Sequence, residues 1–402
     1  MLFSLSRVSA QTNYYGAAGS EYLVAGTLLG DQVHPDMALN SSGGFLVWQD
    51  NATDGSGLGI SAQRLDATLS GTMSTFRVNV IGTNDQENAR VTLLKNGGAA
   101  FVWQGGIEGL NQRIYARFLT PTNTWLSSTD VLVGTFTKNF QVAPAIATLN
   151  NSNVVIVWAS YDQVSSNSLL DVYGQILSQN GAKIGPNFLV NQFTGFNQRA
   201  PAVAALKNGG FVVAWISEQQ RTNVNAGSID EVNGTLSTSV ATPTVDLYAR
   251  LYNSNGVAAG SEFLAATDSV FHANPAIAVG ADGNFDIAWS GKDINDQTNS
   301  WDIYVRSFTS AGAGGATALV NTYTYGDQYL PRVTALGTDY LVAWTSIGED
   351  GNREGVYGRF LHGDGSFAGN EFRINTQTIG SQLQPVVASD GIGQFLVVWS
   401  GF

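Results

Sequence analysis

The chain has 402 residues, of which 44% are hydrophobic, 11% aromatic and only 12% charged, and it contains no cysteine. Its net charge of −12 at pH 7 disfavours nucleic acids and anionic lipid surfaces as partners, because like charges repel. The lack of cysteine excludes disulfides, thiolate nucleophiles and Cys-ligated metals, and no apolar run is long enough to span a bilayer, so we expect no membrane insertion.

The first 25 residues resemble the second half of a repeating unit that recurs later in the chain. The segment Gly19–Val24 (GSEYLV) aligns with Gly369–Ile374 (GNEFRI), and the same register places a strand at Leu2–Ser9. The sequence given stops at Phe402, after the second strand of a unit whose last two strands are missing. We therefore expect the N-terminal segment to complete the C-terminal unit.

A strand that ends in tryptophan recurs along the chain at intervals of 55 to 57 residues, with one longer interval of 74. Each unit contains four strand-like segments, a to d, rich in Val, Ile, Phe and Tyr and separated by Gly, Asn and Asp. The clearest set is Pro201–Leu206, the strand ending at Trp215, Asp246–Tyr252 and Glu262–Ala265. The repeated tryptophans, which we expect to pack between units, are Trp48, Trp103, Trp158, Trp215, Trp289, Trp344 and Trp399.

Four-stranded units of this size predict the blades of a β-propeller. Complementary incomplete ends favour a closed ring over an open solenoid, which needs capping units, or over two stacked sandwiches. The sequence thus predicts an all-β, seven-bladed propeller of four-stranded blades, forming one domain over residues 1–402. In its closing blade, strands c and d from 1–25 pair with strands a and b from 385–402. The long interval predicts an insertion loop at 218–244 in the fourth repeat.

The connections between strands b and c are long and varied, whereas the a–b turns are short and uniform. Variable loops on a rigid scaffold usually carry binding, so the face with the b–c and d–a loops is the predicted working face. A glutamine stands near the start of strand a in all units but the fifth, which has His272. These amides either cap backbone groups or form a polar funnel for a ligand. They are Gln32, Gln86, Gln141, Gln198, Gln328 and Gln382.

Departures from the repeat concentrate in the fifth unit. Asp286 replaces an aliphatic residue of strand b, and because a lone buried carboxylate is costly, we expect it to pair with Arg306. Trp301 stands outside the tryptophan repeat and could present a ring to a sugar. The candidate ligand-binding residues, besides Gln32 and Gln328, are His272, Asp286, Asp293, Asp296 and Trp301.

No nucleophile elbow, P-loop, dinucleotide fingerprint or HExxH motif occurs in the sequence. A carboxylate pair for glycoside hydrolysis would come from distant blades and would leave no local signature. Asp50, Asp54 and Asp302 are candidate Ca²⁺ ligands, but acidic turns are usually solvated and these match no EF-hand spacing. We expect no cofactor, with Ca²⁺ as the alternative.

Several segments carry a likeness to known repeats: Asp54–Ala67, Asn208–Ser217, Gly326–Leu336 and Glu371–Thr376. Through them the unit resembles repeats of large secreted or cell-surface bacterial proteins, including RTX-type and adhesin-like polypeptides. The resemblance implies an extracellular or cell-surface location and an adhesive or matrix role, and it carries over no catalytic residue. The glycine-rich nonapeptide Ca²⁺ tract of RTX proteins is absent.

Two functions follow from these observations. The first is a non-catalytic binding, adhesion or structural propeller that contacts a glycan, a surface protein or copies of itself through the b–c/d–a loop face. The scarcity of histidine and the lack of a catalytic motif favour it. The alternative is a polysaccharide-active enzyme, a lyase or glycoside hydrolase, that uses acidic residues and His272 on the same face.

Overall fold

The structure is a computed structural model that describes residues 2–7, 15–71, 74–165, 168–219, 229–230, 235–236, 245–266, 271–292 and 300–402. Over these ranges the regular secondary structure is β-strand, as the alternation of apolar and polar residues predicts. No helix in the described part of the chain has the length and apolar character needed to cross a bilayer.

The described residues form thirty strands, and neighbouring strands within each sheet run antiparallel. The first fifteen are β1 (Leu2–Arg7), β2 (Tyr15–Ala17), β3 (Gln32–Asn40), β4 (Gly43–Asp50), β5 (Gly59–Leu65), β6 (Phe76–Arg77), β7 (Asp85–Leu93), β8 (Ala99–Gly106), β9 (Arg113–Leu119), β10 (Val131–Leu132), β11 (Gln141–Thr148), β12 (Val154–Tyr161), β13 (Leu170–Leu177), β14 (Lys183–Leu189) and β15 (Gln198–Ala205). The others are β16 (Phe211–Ser217), β17 (Ile229–Asp230), β18 (Thr235–Leu236), β19 (Asp246–Tyr252), β20 (Phe263–Leu264), β21 (Phe271–Val279), β22 (Phe285–Lys292), β23 (Trp301–Phe308), β24 (Gly314–Leu319), β25 (Gln328–Leu336), β26 (Asp339–Ile347), β27 (Glu354–Leu361), β28 (Phe372–Arg373), β29 (Gln382–Ser389) and β30 (Gln394–Gly401).

Six four-stranded sheets, which we call the regular blades, are each formed from one continuous stretch of the chain. They consist of β3 to β6, β7 to β10, β11 to β14, β15–β16–β19–β20, β21 to β24, and β25 to β28. Inside the fourth of them, β17 pairs with β18 within the predicted insertion 218–244, most of which lies outside the described residues. The two ends of the chain meet in a further four-stranded sheet with the order β2-β1-β30-β29.

The prediction of a seven-bladed propeller is corrected by this topology: six four-stranded blades are regular, and the sheet that joins the chain ends is built differently. Its outer strand is Tyr15–Ala17, whereas the predicted Gly19–Val24 contributes a single bridge residue, Tyr22. The reason is the pairing of β1, in which Leu5 to Arg7 form a hairpin with Ala17 to Tyr15. In the preceding blade the outer strand pairs instead with Tyr357 and Gly358, and Tyr357 lies opposite the repeated tryptophan.

The aligned segments Gly19–Val24 and Gly369–Ile374 nevertheless make equivalent contacts between sheets. The backbone N–H of Gln377 donates to Glu21 Oε2 at 2.9 Å, and the backbone N–H of Tyr323 donates to Glu371 Oε1 at 3.0 Å. Glu21 and Glu371 thus hold the d–a loop of the preceding sheet in the same way. The alignment therefore identified equivalent residues, although only Glu371 precedes a strand there.

The core lies between neighbouring sheets. Each repeated tryptophan is at most 2% exposed, and each packs against apolar residues of an adjacent sheet. Trp344, for example, shares a cluster with Ile303 and Val305 of the preceding blade. The prediction that these tryptophans pack between blades is confirmed.

Strand a of every four-stranded sheet lies innermost, and these strands contact one another around the whole ring, in the order β3, β7, β11, β15, β21, β25, β29 and back to β3. Each has a β-bulge near its start, where one residue adopts a φ of 50° to 58°. A bulge bends the strand locally, so it sets which side chains turn toward the axis. The bulge residues are His34, Asn88, Ala143, Ala200, Asn274, Leu330 and Gln384.

Candidate functional site

The inner strands enclose a cavity of about 430 Å³ on the axis of the ring. Its wall consists of the bulge residues and the three or so residues that follow each of them. The volume lies within the ~300–1,000 Å³ that is usual for small-molecule sites. This cavity, which we call the channel site, is the part of the structure to which all the sheets contribute.

Charged side chains enter the channel site at one position of the inner strands, two residues after the bulge. Four strands have a small side chain there: Ala145, Ala202, Ala276 and Val386. The other three have Asp36 on β3, Arg90 on β7 and Arg332 on β25. Because all of these residues occupy the same register, the three charges lie at one level of the channel.

Asp36 is the carboxylate among the residues that line the cavity. Its Oδ2 accepts a hydrogen bond from the backbone N–H of Val91 on the neighbouring strand at 2.9 Å. Burial raises the pKa of Asp36 above its ordinary value, although the nearby guanidinium groups of Arg90 and Arg332 act to lower it. Asp36 is therefore a carboxylate from which the proton leaves less easily than in water.

Arg332 is held without a partner of its own. In the part of the chain that the structure describes, its guanidinium donates no hydrogen bond and lies in no ion pair within 4.0 Å. Burial, and secondly the charge of Arg90, lowers its pKa to about 10, so it remains protonated at neutral pH. Arg90 Nη1 donates to the carbonyl oxygen of Ala89 at 3.1 Å. Two cations therefore face one carboxylate in the cavity.

His34 adds a neutral polar group beside these charges. Its backbone N–H donates to Gln384 Oε1 at 2.9 Å, and Gln384 Nε2 lies 3.2 Å from His34 Nε2. Since the amide oxygen is turned to the backbone, the amide nitrogen donates to the imidazole, which then carries its proton on Nδ1. Burial, followed by the charges of Arg90 and Arg332, lowers the pKa of His34.

The bulges that shape the cavity are held by side chains of the preceding sheet. Gln49 Oε1 accepts from the backbone N–H of Asn88 at 3.0 Å, and Gln104 Oε1 accepts from that of Ala143 at 2.8 Å. Both glutamines directly follow a repeated tryptophan. Gln49 and Gln104 thus clamp the wall of the channel site from the neighbouring blade.

The repeated glutamines, for which backbone capping and a polar funnel were the two interpretations, cap their own loops where Gln32 and Gln328 show it. Gln32 Nε2 donates to Gly30 O at 2.7 Å, and Gln328 Nε2 contacts Tyr325 O at 3.4 Å and Ser346 Oγ at 3.3 Å. Neither glutamine lines the channel site. These contacts support the interpretation of the ring as backbone capping.

The fifth-unit candidates His272 and Asp286 lie on the same strand pair but are not brought together. His272 is 1% exposed, its Nδ1 lies 2.7 Å from Val245 O, and it pairs with Gly291 at one end of β22. Asp286 is 1% exposed and pairs with Ala278 near the other end. Burial raises the pKa of Asp286 to about 7.

The other expectations for the fifth unit have separate outcomes. The pairing of Asp286 with Arg306 is wrong, because Asp286 lies opposite Ser307, so the two side chains leave the sheet on opposite faces. Arg306 donates to backbone carbonyl groups, including Ala265 O at 2.9 Å. Trp301 begins β23 and is partly exposed. The candidates Asp293 and Asp296 lie outside the described residues.

The acidic residues considered for Ca²⁺ have protein partners. The backbone N–H of Thr53 donates to Asp50 Oδ1 at 2.7 Å. Asn79 Nδ2 donates to Asp54 Oδ2 at 3.2 Å, and a second asparagine donates to Asp302 Oδ1 at 2.7 Å. No group of three or more His, Asp or Glu residues within the described ranges is arranged to hold a metal ion. Ca²⁺ binding stays a prediction.

Sequence reasoning missed the three charged residues of the channel site. A signal for them existed, because alignment of the inner strands on their glutamine or histidine puts Asp36, Arg90 and Arg332 where the other units have alanine or valine. Each residue by itself is an ordinary surface type in a strand with polar neighbours. The pattern becomes informative only when the inner strands are known to face a common axis.

Comparisons with known proteins show the fold. No family model matches the chain, and no curated protein matches it. Among solved structures it is similar to a protein of unknown function from Dyadobacter fermentans, with a TM-score of 0.53, 10% identity and coverage of 78% of this chain and 94% of that one. It is also similar to an α-L-arabinanase of Penicillium chrysogenum complexed with arabinobiose, with a TM-score of 0.53, 13% identity and coverage of 85% and 96%. An α-L-arabinofuranosidase of Fusarium graminearum has a TM-score of 0.51, 11% identity and coverage of 83% and 93%.

These comparisons correct the resemblance to RTX-type and adhesin-like repeats. No repeat or adhesin family model matches the chain, and its likeness to solved structures, at 10–13% identity, is a likeness of fold. The physical reason is that alternating apolar residues, glycine turns and a large aromatic residue per blade are required by any four-stranded blade. Such residues therefore indicate the propeller architecture and do not indicate membership of a particular family.

Proposed function

We propose that the protein is a polysaccharide-active enzyme that holds the end of a saccharide chain in the channel site. The observation that carries the proposal is the placement of Asp36 between two arginines in a cavity of about 430 Å³. A titratable group with a perturbed pKa, set among charged side chains in a concave site, is typical of catalytic centres. The arabinose-processing enzymes of similar fold support a saccharide as the substrate class.

In this proposal Asp36 is the residue that transfers a proton. Burial raises its pKa above the ordinary value of an aspartate, which favours the protonated form that a general acid needs. Arg90 and Arg332 stabilise negative charge that develops on the substrate, in a cavity where water screens little. His34, neutral and oriented by Gln384, presents its Nδ1–H as a hydrogen-bond donor for a sugar hydroxyl.

A second candidate is binding of a saccharide without cleavage. It is favoured by the composition of the cavity wall, in which Asp36 is the carboxylate, whereas most glycoside hydrolases use two. Under either function a glycan is the partner that we propose, and an extracellular location remains our prediction.

The test is incubation of the purified protein with a panel of neutral and acidic polysaccharides, followed by detection of new reducing ends and of unsaturated products. We expect product from at least one polysaccharide, and at least a 100-fold loss of rate in Asp36→Asn. Glu108→Gln, an exposed change in a b–c loop, should leave the rate unchanged. Binding of a polysaccharide without product would establish the second candidate, and neither binding nor product would overturn the proposal.

A further inference from the structure

We propose that the channel site selects a saccharide that carries a singly charged oxyanion group, a uronate carboxylate or a sulfate ester, and that Arg90 and Arg332 bind this group. The inference deepens the proposed function and rests on it for the saccharide. The oxyanion itself is inferred from the charges that line the cavity.

The first argument is the balance of charge in the cavity. The lining residues include two arginines and one carboxylate, Asp36, so at least one positive charge has no counter-ion among them even when Asp36 is ionised. The imbalance is notable because the whole chain carries a net charge of −12. An uncompensated buried cation is costly, so a bound monoanion would stabilise the site.

The second argument is the placement of the two guanidinium groups. Arg90 and Arg332 belong to inner strands that are not neighbours, β7 and β25, and they act on each other electrostatically across the cavity. Two positive charges on opposite sides of a cavity favour an anionic ligand that lies between them. A guanidinium presents parallel N–H donors that match the oxygens of a carboxylate or sulfate.

The third argument is the donor capacity that the protein leaves unused. The guanidinium of Arg332 donates to no described residue, and for Arg90 the structure gives one bond, to Ala89 O. The small side chains at the same level, Ala145, Ala202, Ala276 and Val386, leave room beside the two cations. Arg332 is therefore the residue with the most to contribute to an anion.

The experiment is isothermal titration calorimetry with three probes: a short oligogalacturonate, its fully methyl-esterified form and a sulfated oligosaccharide of similar length. The ester keeps the sugar and removes the charge. We expect the ester to bind at least tenfold more weakly than the acid. Arg332→Ala should weaken binding of the anionic probe at least tenfold, and Arg332→Lys, which keeps the charge but loses the planar donor pair, should weaken it less.

Arg353→Ala is the matched control, because Arg353 is an exposed arginine on a b–c loop outside the cavity. It should bind the probes as the unchanged protein does, and near-ultraviolet circular dichroism should show that every variant is folded. Tighter binding of the sulfated probe than of the uronate would support the oxyanion and identify sulfate as its source. Equal binding of acid and ester, or undiminished binding by folded Arg332→Ala, would overturn the inference.

The two proposals fail separately. Cleavage of a neutral polysaccharide that Arg332→Ala performs at full rate would reject the anionic substrate and leave the enzymatic function standing. Binding of uronate that depends on Arg332, with no product from any polysaccharide, would support the anion site and reject the enzyme.

Discussion

His34 and Gln384, which are 350 positions apart in the chain, form two contacts with each other across the junction of the ring. The backbone N–H of His34 donates to the Gln384 amide oxygen at 2.9 Å, and the amide nitrogen lies 3.2 Å from His34 Nε2. Both residues occupy the bulge position of their strands. In three other sheets the residue after the repeated tryptophan accepts from the bulge N–H of the next sheet, as Gln49, Gln104 and Thr345 do. After Trp399 this residue is Ser400, which bonds to Gln32 O instead.

This geometry predicts the behaviour of Gln384→Leu. Removal of the amide leaves the His34 N–H without its acceptor, which should lower the free energy of unfolding by about 1–3 kcal/mol. It also frees His34 Nε2 from a hydrogen-bond donor, so protonation becomes easier and the pKa of His34 should rise. Urea denaturation and NMR titration of the histidine ring measure the two effects.

Gln32→Leu provides the control for this prediction. It removes the same amide from a site that bonds only to loop carbonyl groups in the described structure, so the pKa of His34 should stay where it is in the unchanged protein. If Gln384→Leu leaves the His34 titration unaltered, the amide does not donate to the imidazole.

The clamp formed by Gln104 predicts a second stability effect. Gln104 Oε1 accepts from the Ala143 N–H at 2.8 Å, while its Nε2 donates to Glu87 at 3.3 Å. Gln104→Leu should therefore lower the free energy of unfolding by about 1–3 kcal/mol, because a buried N–H loses its partner. Gln377→Leu, an exposed change, should stay within about 0.5 kcal/mol in the same denaturation experiment. Equal stability of both variants would show that the clamp contributes nothing.

Asp286 predicts a dependence of stability on pH. Its pKa is raised from 3.8 to about 7, mainly by burial, so the folded protein binds a proton that the unfolded chain releases. Stability from this group is present below the unfolded pKa and is lost as pH rises through about 7. Asp286→Asn keeps the shape of the neutral acid and cannot ionise.

The variant should therefore be more stable than the unchanged protein at about pH 8, by a few kcal/mol, and the difference should shrink toward about pH 5. Urea denaturation of both proteins at the two pH values measures the free energies of unfolding. Subtracting the value of the unchanged protein from that of the variant cancels the contribution of the other titrating groups. A difference that is the same at both pH values would place the ionised carboxylate in contact with water or with a cation.

The structural elements of this protein could largely be read from local sequence. The tryptophan strands and most of the strands beside them lie where the alternation of residues predicts, because burial between blades requires an apolar residue at every second position. The outer strand of the closing sheet differs from the predicted Gly19–Val24, because Tyr15–Ala17 pairs with Leu5–Arg7 in a hairpin instead. Pairing, and not local pattern, decides which residues form an edge strand.

The candidate site, in contrast, could not be predicted from local sequence. Asp286 was singled out because it interrupts an apolar strand, but it lies near the turn end of its blade, away from the axis cavity. The residues that gather charge in one place, Asp36, Arg90 and Arg332, sit in strands whose neighbours are also polar or small. Nothing in each strand alone distinguishes them.

The sequence by itself determined that the chain forms repeated four-stranded sheets and which aromatic residues pack between them, because those properties depend on neighbours close in the chain. Only the tertiary structure decided which side chains share the axis. That placement depends on the bulge in each inner strand and on the closure of the ring, which brings residues of distant blades to the same level of one cavity.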